Sequence, residues 1–222
     1  VFPLLELNST KVLIQSVLPG VKLRGFLEDI NKINNTIPIL LNWVTKLHKI
    51  NYRKETINHI FFEKYLDSHV SKFVSNFKDH GVNIETNFYD LMLNISKTFE
   101  GYNFPITLQH GDFTIHNCLI QNNNLKVFDW EDAFFDMPSF IDIFDLIFSL
   151  NNIHPLQFNL SGRKVKMILK YYCRILGIDE KLLKDFQAFY FLIKANRDIK
   201  SSVDSIDSSL RWINKLNEIQ TF

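Results

Sequence analysis

The stretch LQHGDFTIHNCLIQNNNLKVFDWEDA, residues 108–133, constrains the fold of this chain more than any other. Two short apolar runs, CLI and LKVF, flank the polar stretch QNNN, a pattern that predicts a tight β-hairpin. Asp112 and Asn117 precede the first run, and Asp129 follows the second. Antiparallel pairing of the runs sets Asn117 and Asp129 at the same end of the ladder, with Asp112 in the loop beside them. Spacing alone is a weak signal. With 15 Asp and 22 Asn in 222 residues, chance gives about 1.5 Asp/Asn pairs five apart, and Asp29 with Asn34 is one of them. What separates Asp112 and Asn117 from that pair is the run PITL before the loop and the hairpin after it.

Around this hairpin the pattern is mostly helical, which predicts an α+β, mainly helical fold. The segments FPLLEL and KVLIQSVL, parted by NST, read as an N-terminal hairpin ended by Pro19 and Gly20. From NNTIPILLNWVTKLHKI onward the apolar residues Ile37, Leu40, Leu41, Val44 and Leu47, with His48, recur at helical spacing, with Asn35 or Thr36 as N-cap and Pro38 in the first turn. KETINHIFFEKYLDSHVSKFVSNFKDHG reads as a long amphipathic helix stopped by Gly81, and FYDLMLNISKTFEG as another ending at Gly101. After residue 150, GRKVKMILKYYCRILG, KLLKDFQAFYFLIKANRDI and SSLRWINKLNEI predict a helical layer. No repeat of fixed period is visible.

Charge narrows the functions. Lys plus Arg number 25 against 24 Asp plus Glu, a net charge of +1 that supplies no field for nucleic acid or an anionic membrane. No apolar run approaches the roughly 20 residues that span a bilayer, and the N-terminus lacks a signal-peptide pattern, so the expected location is cytoplasmic. Cys118 and Cys173 lack metal-binding spacing and are expected to be buried free thiols. Small polar ligands remain.

Carboxylate and amide oxygens suit one such ligand. Magnesium prefers oxygen donors and keeps much of its shell for water and phosphate oxygens, while a nearby free carboxylate can accept a proton from an attacking hydroxyl. An Asp, an Asn five residues later and an Asp after the following hairpin occur in the same order in protein-kinase phosphotransfer sites.

HGDFTIHN followed by FDWEDA resembles the aminoglycoside phosphotransferase and choline kinase-like family, the small-molecule branch of the protein-kinase-like fold. The resemblance implies Asp112 as catalytic base, Asn117 and Asp129 as magnesium ligands, and His110 as the residue bracing the loop. VLIQSVLPG is similar to the strand and hinge joining the two lobes, which implies adenine contacts along Gln15, Ser16, Val17 and Leu18. VTKLHKI and EDAFFDMPSFIDIFDLI extend the likeness over residues 11 to 150. The implied layout is a remnant of an N-terminal lobe with hinge over residues 1–20 and a helical catalytic lobe over 21–222. The implied reaction moves the γ-phosphate of ATP or GTP, with magnesium, to a hydroxyl of an aminoglycoside, a choline-like amino alcohol or a sugar. Nucleotide and acceptor are the expected partners, with neither nucleic acid nor membrane among them; the oligomeric state is unassigned.

The sequence departs from that family before the hinge-like segment, where no phosphate-covering loop and no strand Lys paired with a helix Glu are found. Its seven glycines form no GxGxxG motif. The Val at position 1 points to a fragment, and a degenerate chain is the other reading. A non-catalytic, kinase-derived binding module is the alternative function, and a kinase for protein side chains fits the HGD and DWE forms less well. Other residues carry a second reading. His116 could touch substrate or pack the loop, and Glu131 and Asp132 could line a cationic pocket or cap a turn. Asp142 and Asp145 are expected to be braced by a nearby Arg or Lys or to face solvent, and Trp130, Phe134 and Phe135 to be mainly core, with Trp43 and His48 open to either core or surface.

Overall fold

The computed structural model describes residues 4–7, 10–13, 18–58, 60, 75, 78, 97–159, 162–199, 211 and 215. Strands β1 (Leu4–Leu7) and β2 (Thr10–Leu13) pair antiparallel with Leu7 opposite Thr10, the hairpin that the NST turn predicts. Of the hinge-like residues, Gln15, Ser16 and Val17 lie outside the described set, and Leu18 is half-buried. The short β3 (Val21–Lys22) then docks on the central hairpin, and a single helical turn, α1 (Leu23–Phe26), follows.

Helix α2 spans Ile30–Lys49, beginning well before the expected cap. Asp29 caps it by accepting from the Asn31 amide, and Thr36 instead returns its hydroxyl to the Lys32 carbonyl at 2.7 Å. Pro38 therefore sits inside the helix. The ring removes one backbone donor, a local loss that the buried stripe Ile33, Leu40, Leu41, Val44 and Leu47 outweighs. The next departure is larger. Lys54–Thr56, assigned to a helix by periodicity, belongs to strand β4 (Arg53–Thr56), where Arg53 reaches Glu55 and Asp136. The long helix expected up to Gly81 lies mostly outside the described residues. The helix expected before Gly101 is described only from residue 97, and Gly101 takes a positive φ there.

Strand β5 (Asn103–Gln109) lies between β4 and β8 (Phe134–Pro138), antiparallel to both. The central hairpin is β6 (Cys118–Gln121) and β7 (Asn124–Val127), with Cys118 opposite Val127. Its turn residues Asn122 and Asn123 have φ of 49° and 61°, the left-handed pair that a two-residue hairpin turn requires and that Asn tolerates.

The helical layer closes the core. Helix α3 (Ile141–Ile153) is buried on every side from Ile141 to Leu150. Helix α4 (Arg163–Leu176) buries the stripe Val165, Ile168, Leu169, Tyr172, Cys173 and Leu176, and a 3₁₀ turn leads into α5 (Leu183–Ile199). Aromatic rings join α3 and its entry to α5, with Phe140 stacked on Phe186 and Phe148 on Tyr190. The helix expected over SSLRWINKLNEI lies almost wholly outside the described residues. No helix among the described residues is long and apolar enough to cross a membrane. Cys118 and Cys173 are free and buried, as expected.

Gly177 ends α4 at φ 66°, donating to the Cys173 carbonyl. A side chain at this left-handed position costs about 1 kcal/mol, so Gly177→Ala is expected to lower unfolding stability by that amount in urea titration.

Candidate active site

A buried carboxylate organises the HGD loop. Asp142, in the first turn of α3, accepts the His110 amide at 2.8 Å and the Gly111 amide at 2.9 Å. It also accepts from Nε2 of His48, on α2, at 2.9 Å. His48 Nδ1 meets the Tyr172 hydroxyl of α4, which donates in turn to the Ser139 carbonyl. Burying a carboxylate is costly, and charge-assisted hydrogen bonds offset that cost. Further along the loop, the Ile115 amide donates to Ser149 Oγ, also on α3. The sequence expectation for Asp142 is thus corrected: it is buried, and its hydrogen-bond partners among the described residues are backbone amides and a histidine, neither Arg nor Lys.

Gly111 is forced by geometry. Its φ is 84°, and a Cβ there would lie 2.1 Å from the Asp132 carbonyl oxygen. The loop and the segment after β7 touch at this glycine. His110 fastens the same two pieces: its Nε2 donates to the Phe128 carbonyl at 2.9 Å, and its Nδ1 accepts from the Asp112 amide at 3.3 Å. This is the bracing place that the sequence assigns to it.

The three residues singled out by the sequence sit around this frame. Asn117, buried at the end of a 3₁₀ turn, donates from Nδ2 to the Asp112 carbonyl at 3.0 Å and to Asp112 Oδ2 at 2.8 Å. Both donations go to Asp112, leaving the amide oxygen as the acceptor end of the side chain. The Asn117 carbonyl accepts from the Phe128 amide, which brings Asp129 to the same end of the β6–β7 ladder. Asp129 is exposed and holds φ 67°, a left-handed conformation uncommon for a non-glycine residue and most often met at turns and functional sites. The donors fit a hard cation: amide and carboxylate oxygens, few in number, as magnesium takes when phosphates and water complete its shell. Asn117 and Asp129 are the residues that could hold it.

A further group escaped the sequence reading. Lys194 of α5, almost wholly buried, lies 2.6 Å from Asp145 Oδ1 and 3.9 Å from Asp112 Oδ1, and it donates to the Gly111 carbonyl at 3.2 Å. Asp145 also accepts from the Tyr190 hydroxyl at 2.7 Å. The expected bracing of Asp145 by a basic residue is found, though nothing in the spacing indicated which one. The available signal was a lone cation in the apolar run AFYFLIKAN. Burial works against the Lys194 charge, and attraction from Asp145, Asp112 and Asp142 outweighs it, raising its pKa.

The aromatic residues after Asp129 correct another expectation. Trp130 and Phe134 are exposed, and Phe135 is 72% exposed. Only Met137 and Pro138 of β8 enter the core. Trp130 donates to the Val127 carbonyl and packs on His110, and half-buried Trp43 stacks on Phe113. His116 and Glu131 are exposed, and Asp132 is half-buried.

With this geometry in view, two solved structures are informative. The Plasmodium vivax ethanolamine kinase is 13% identical, with a TM-score of 0.58 over 97% of this chain and 66% of its own. A glucosamine kinase is 12% identical, with a TM-score of 0.55 over 100% of this chain and 64% of its own. The chain shares its fold with two small-molecule kinases. It spans just under two thirds of their length. No protein-family model matches it, and no curated protein does.

Two outcomes test the site geometry. Gly111→Ala must displace the Asp132 backbone and is expected to lower stability by about 2 kcal/mol or more, whereas Glu131→Ala stays within about 0.5 kcal/mol in the same denaturation assay. Burial pushes the Asp145 carboxyl from 3.8 up to about 7, with Lys194 and Tyr190 pulling the other way. A carboxyl that binds its proton more tightly when folded contributes stability below its unfolded pKa and loses it as pH rises through the folded one. The stability of wild type relative to Asp145→Asn is therefore expected to fall between about pH 4 and pH 7 and to level off above.

Proposed function

We propose that the protein is a magnesium-dependent phosphotransferase that moves the γ-phosphate of ATP or GTP to a hydroxyl of a small molecule. The observation that carries this reading is the Asn117 amide closed on both the carbonyl and the carboxylate of Asp112, in a loop whose preceding amides are tied to Asp142. Such a loop holds a carboxylate in fixed orientation before any ligand arrives, and phosphoryl transfer depends mainly on positioning and charge placement.

Asp112 is the residue that orients the acceptor hydroxyl and accepts its proton. Asn117 and Asp129 would hold the cation through their oxygens. Magnesium, when bound, neutralises charge on the nucleotide phosphates. Residues 1–20 are read as the last strands of a first lobe with its hinge, where Gln15, Ser16, Val17 and Leu18 meet the adenine, and residues 21–222 as the catalytic lobe. Ethanolamine and glucosamine, the compounds named in the two similar kinases, each carry a hydroxyl and an amine. That shared chemistry supports an amine-bearing alcohol as acceptor, within a class that also includes aminoglycosides and choline-like compounds.

The test is ADP release by the full-length protein with magnesium and ATP or GTP, against ethanolamine, choline, glucosamine and aminoglycosides. Asp112→Asn is expected to keep nucleotide binding and lose about 10²–10⁴-fold in kcat. Asp129→Ala is expected to abolish magnesium-dependent nucleotide binding in calorimetry. Near-normal turnover in both variants overturns the reading, and a folded protein that neither turns over nor binds magnesium nucleotide favours the binding module.

A further inference from the structure

We propose that Lys194 is a positioning residue of the phosphotransfer site, setting the Gly111–Asp112 backbone and the orientation of the Asp112 carboxylate; this rests on the function proposed above. Lys194 stands 83 residues after Gly111 and reaches the loop from α5, while α3 anchors the same loop through Asp142. Its ammonium carries three protons. One goes to Asp145 Oδ1 at 2.6 Å and one to the Gly111 carbonyl at 3.2 Å, and Asp112 Oδ1 stands 3.9 Å away. Asp112 Oδ2 is meanwhile taken by Asn117. The carboxylate is thus bracketed, with a neutral amide on one oxygen and a cation beside the other.

Among the described residues, the groups facing this ammonium are Asp145 from α3, Asp112 and the Gly111 carbonyl from the loop, and the Tyr190 ring from its own helix at 5.8 Å, with Asp142 adding attraction at longer range. A purely structural role would be to neutralise buried Asp145. The Gly111 contact goes further, because that carbonyl belongs to the peptide leading directly into Asp112. With Asp142 holding the Gly111 amide and Lys194 its carbonyl, both ends of this residue are fixed. Misplacement of a reacting group by about 1 Å can cost on the order of 10²-fold in rate.

Two variants separate the roles. Lys194→Met alone leaves the buried Asp145 carboxyl without its cation, so that folding at neutral pH must bind a proton there, and the variant is expected to be strongly destabilised. Combined with Asp145→Asn, the unpaired acid is removed, and the thermal midpoint is expected to return close to that of wild type. The kcat of the double variant, measured with magnesium ATP and the acceptor that most stimulates wild type, is expected to stay about 10- to 100-fold low while KM for ATP changes less than about threefold. Recovery of kcat together with stability assigns Lys194 to Asp145 alone and overturns the proposal. A wild-type protein without acceptor-stimulated ADP release, or with release indifferent to Asp112→Asn, overturns the function itself, and the role of Lys194 with it.

Discussion

The structure turns on the Asp142 carboxylate, which gathers the His110 amide, the Gly111 amide and the His48 ring at one buried point. A carboxylate in this position is tolerable only while its partners stay in place, because removing one leaves a buried charge uncompensated. The dependence runs both ways. The loop cannot shift without stranding Asp142, and α3 cannot shift without releasing the loop.

Each layer of the protein contributes to that point. Helix α2 supplies His48, α4 supplies Tyr172 behind it, and α3 supplies Asp142 and Ser149. The loop joins the β4–β5–β8 sheet to the β3–β6–β7 sheet, leaving β5 and entering β6. Gly111 lets the loop pass against the Asp132 carbonyl, and His110 ties it to Phe128, so the Asp129 segment is set by the same contacts as Asp112. Asp129 itself remains exposed in a left-handed conformation, outside the packed core.

The central hairpin was legible because its turn chemistry is local: two consecutive asparagines accept positive φ, and the flanking runs supply the ladder. Gly177 and the stripe of α4 were legible for the same reason. The start of α2 was misread because Pro38 suggests a first turn, while the true cap at Asp29 lies nine residues earlier and the helix tolerates the ring. The β4–β5–β8 sheet was not legible, since Arg53–Thr56 is a polar strand that gains its identity only from β5, distant in sequence. Trp130, Phe134 and Phe135 read as core by composition yet are exposed, because the chain turns at Asp129 and carries them outward. Asp142 and Asp145 raised the right question, as charges in an otherwise apolar stretch of helix. Their partners came from α2, the loop and α5, which spacing along one helix cannot reveal.

The most direct test of this account is amide hydrogen exchange at His110 and Gly111 in the ligand-free protein. A loop fixed by Asp142 before any ligand binds predicts exchange of both amides only through global unfolding, as slow as the core of α3. Fast exchange at these two positions, with α3 still protected, would contradict a preformed loop and the account built on it.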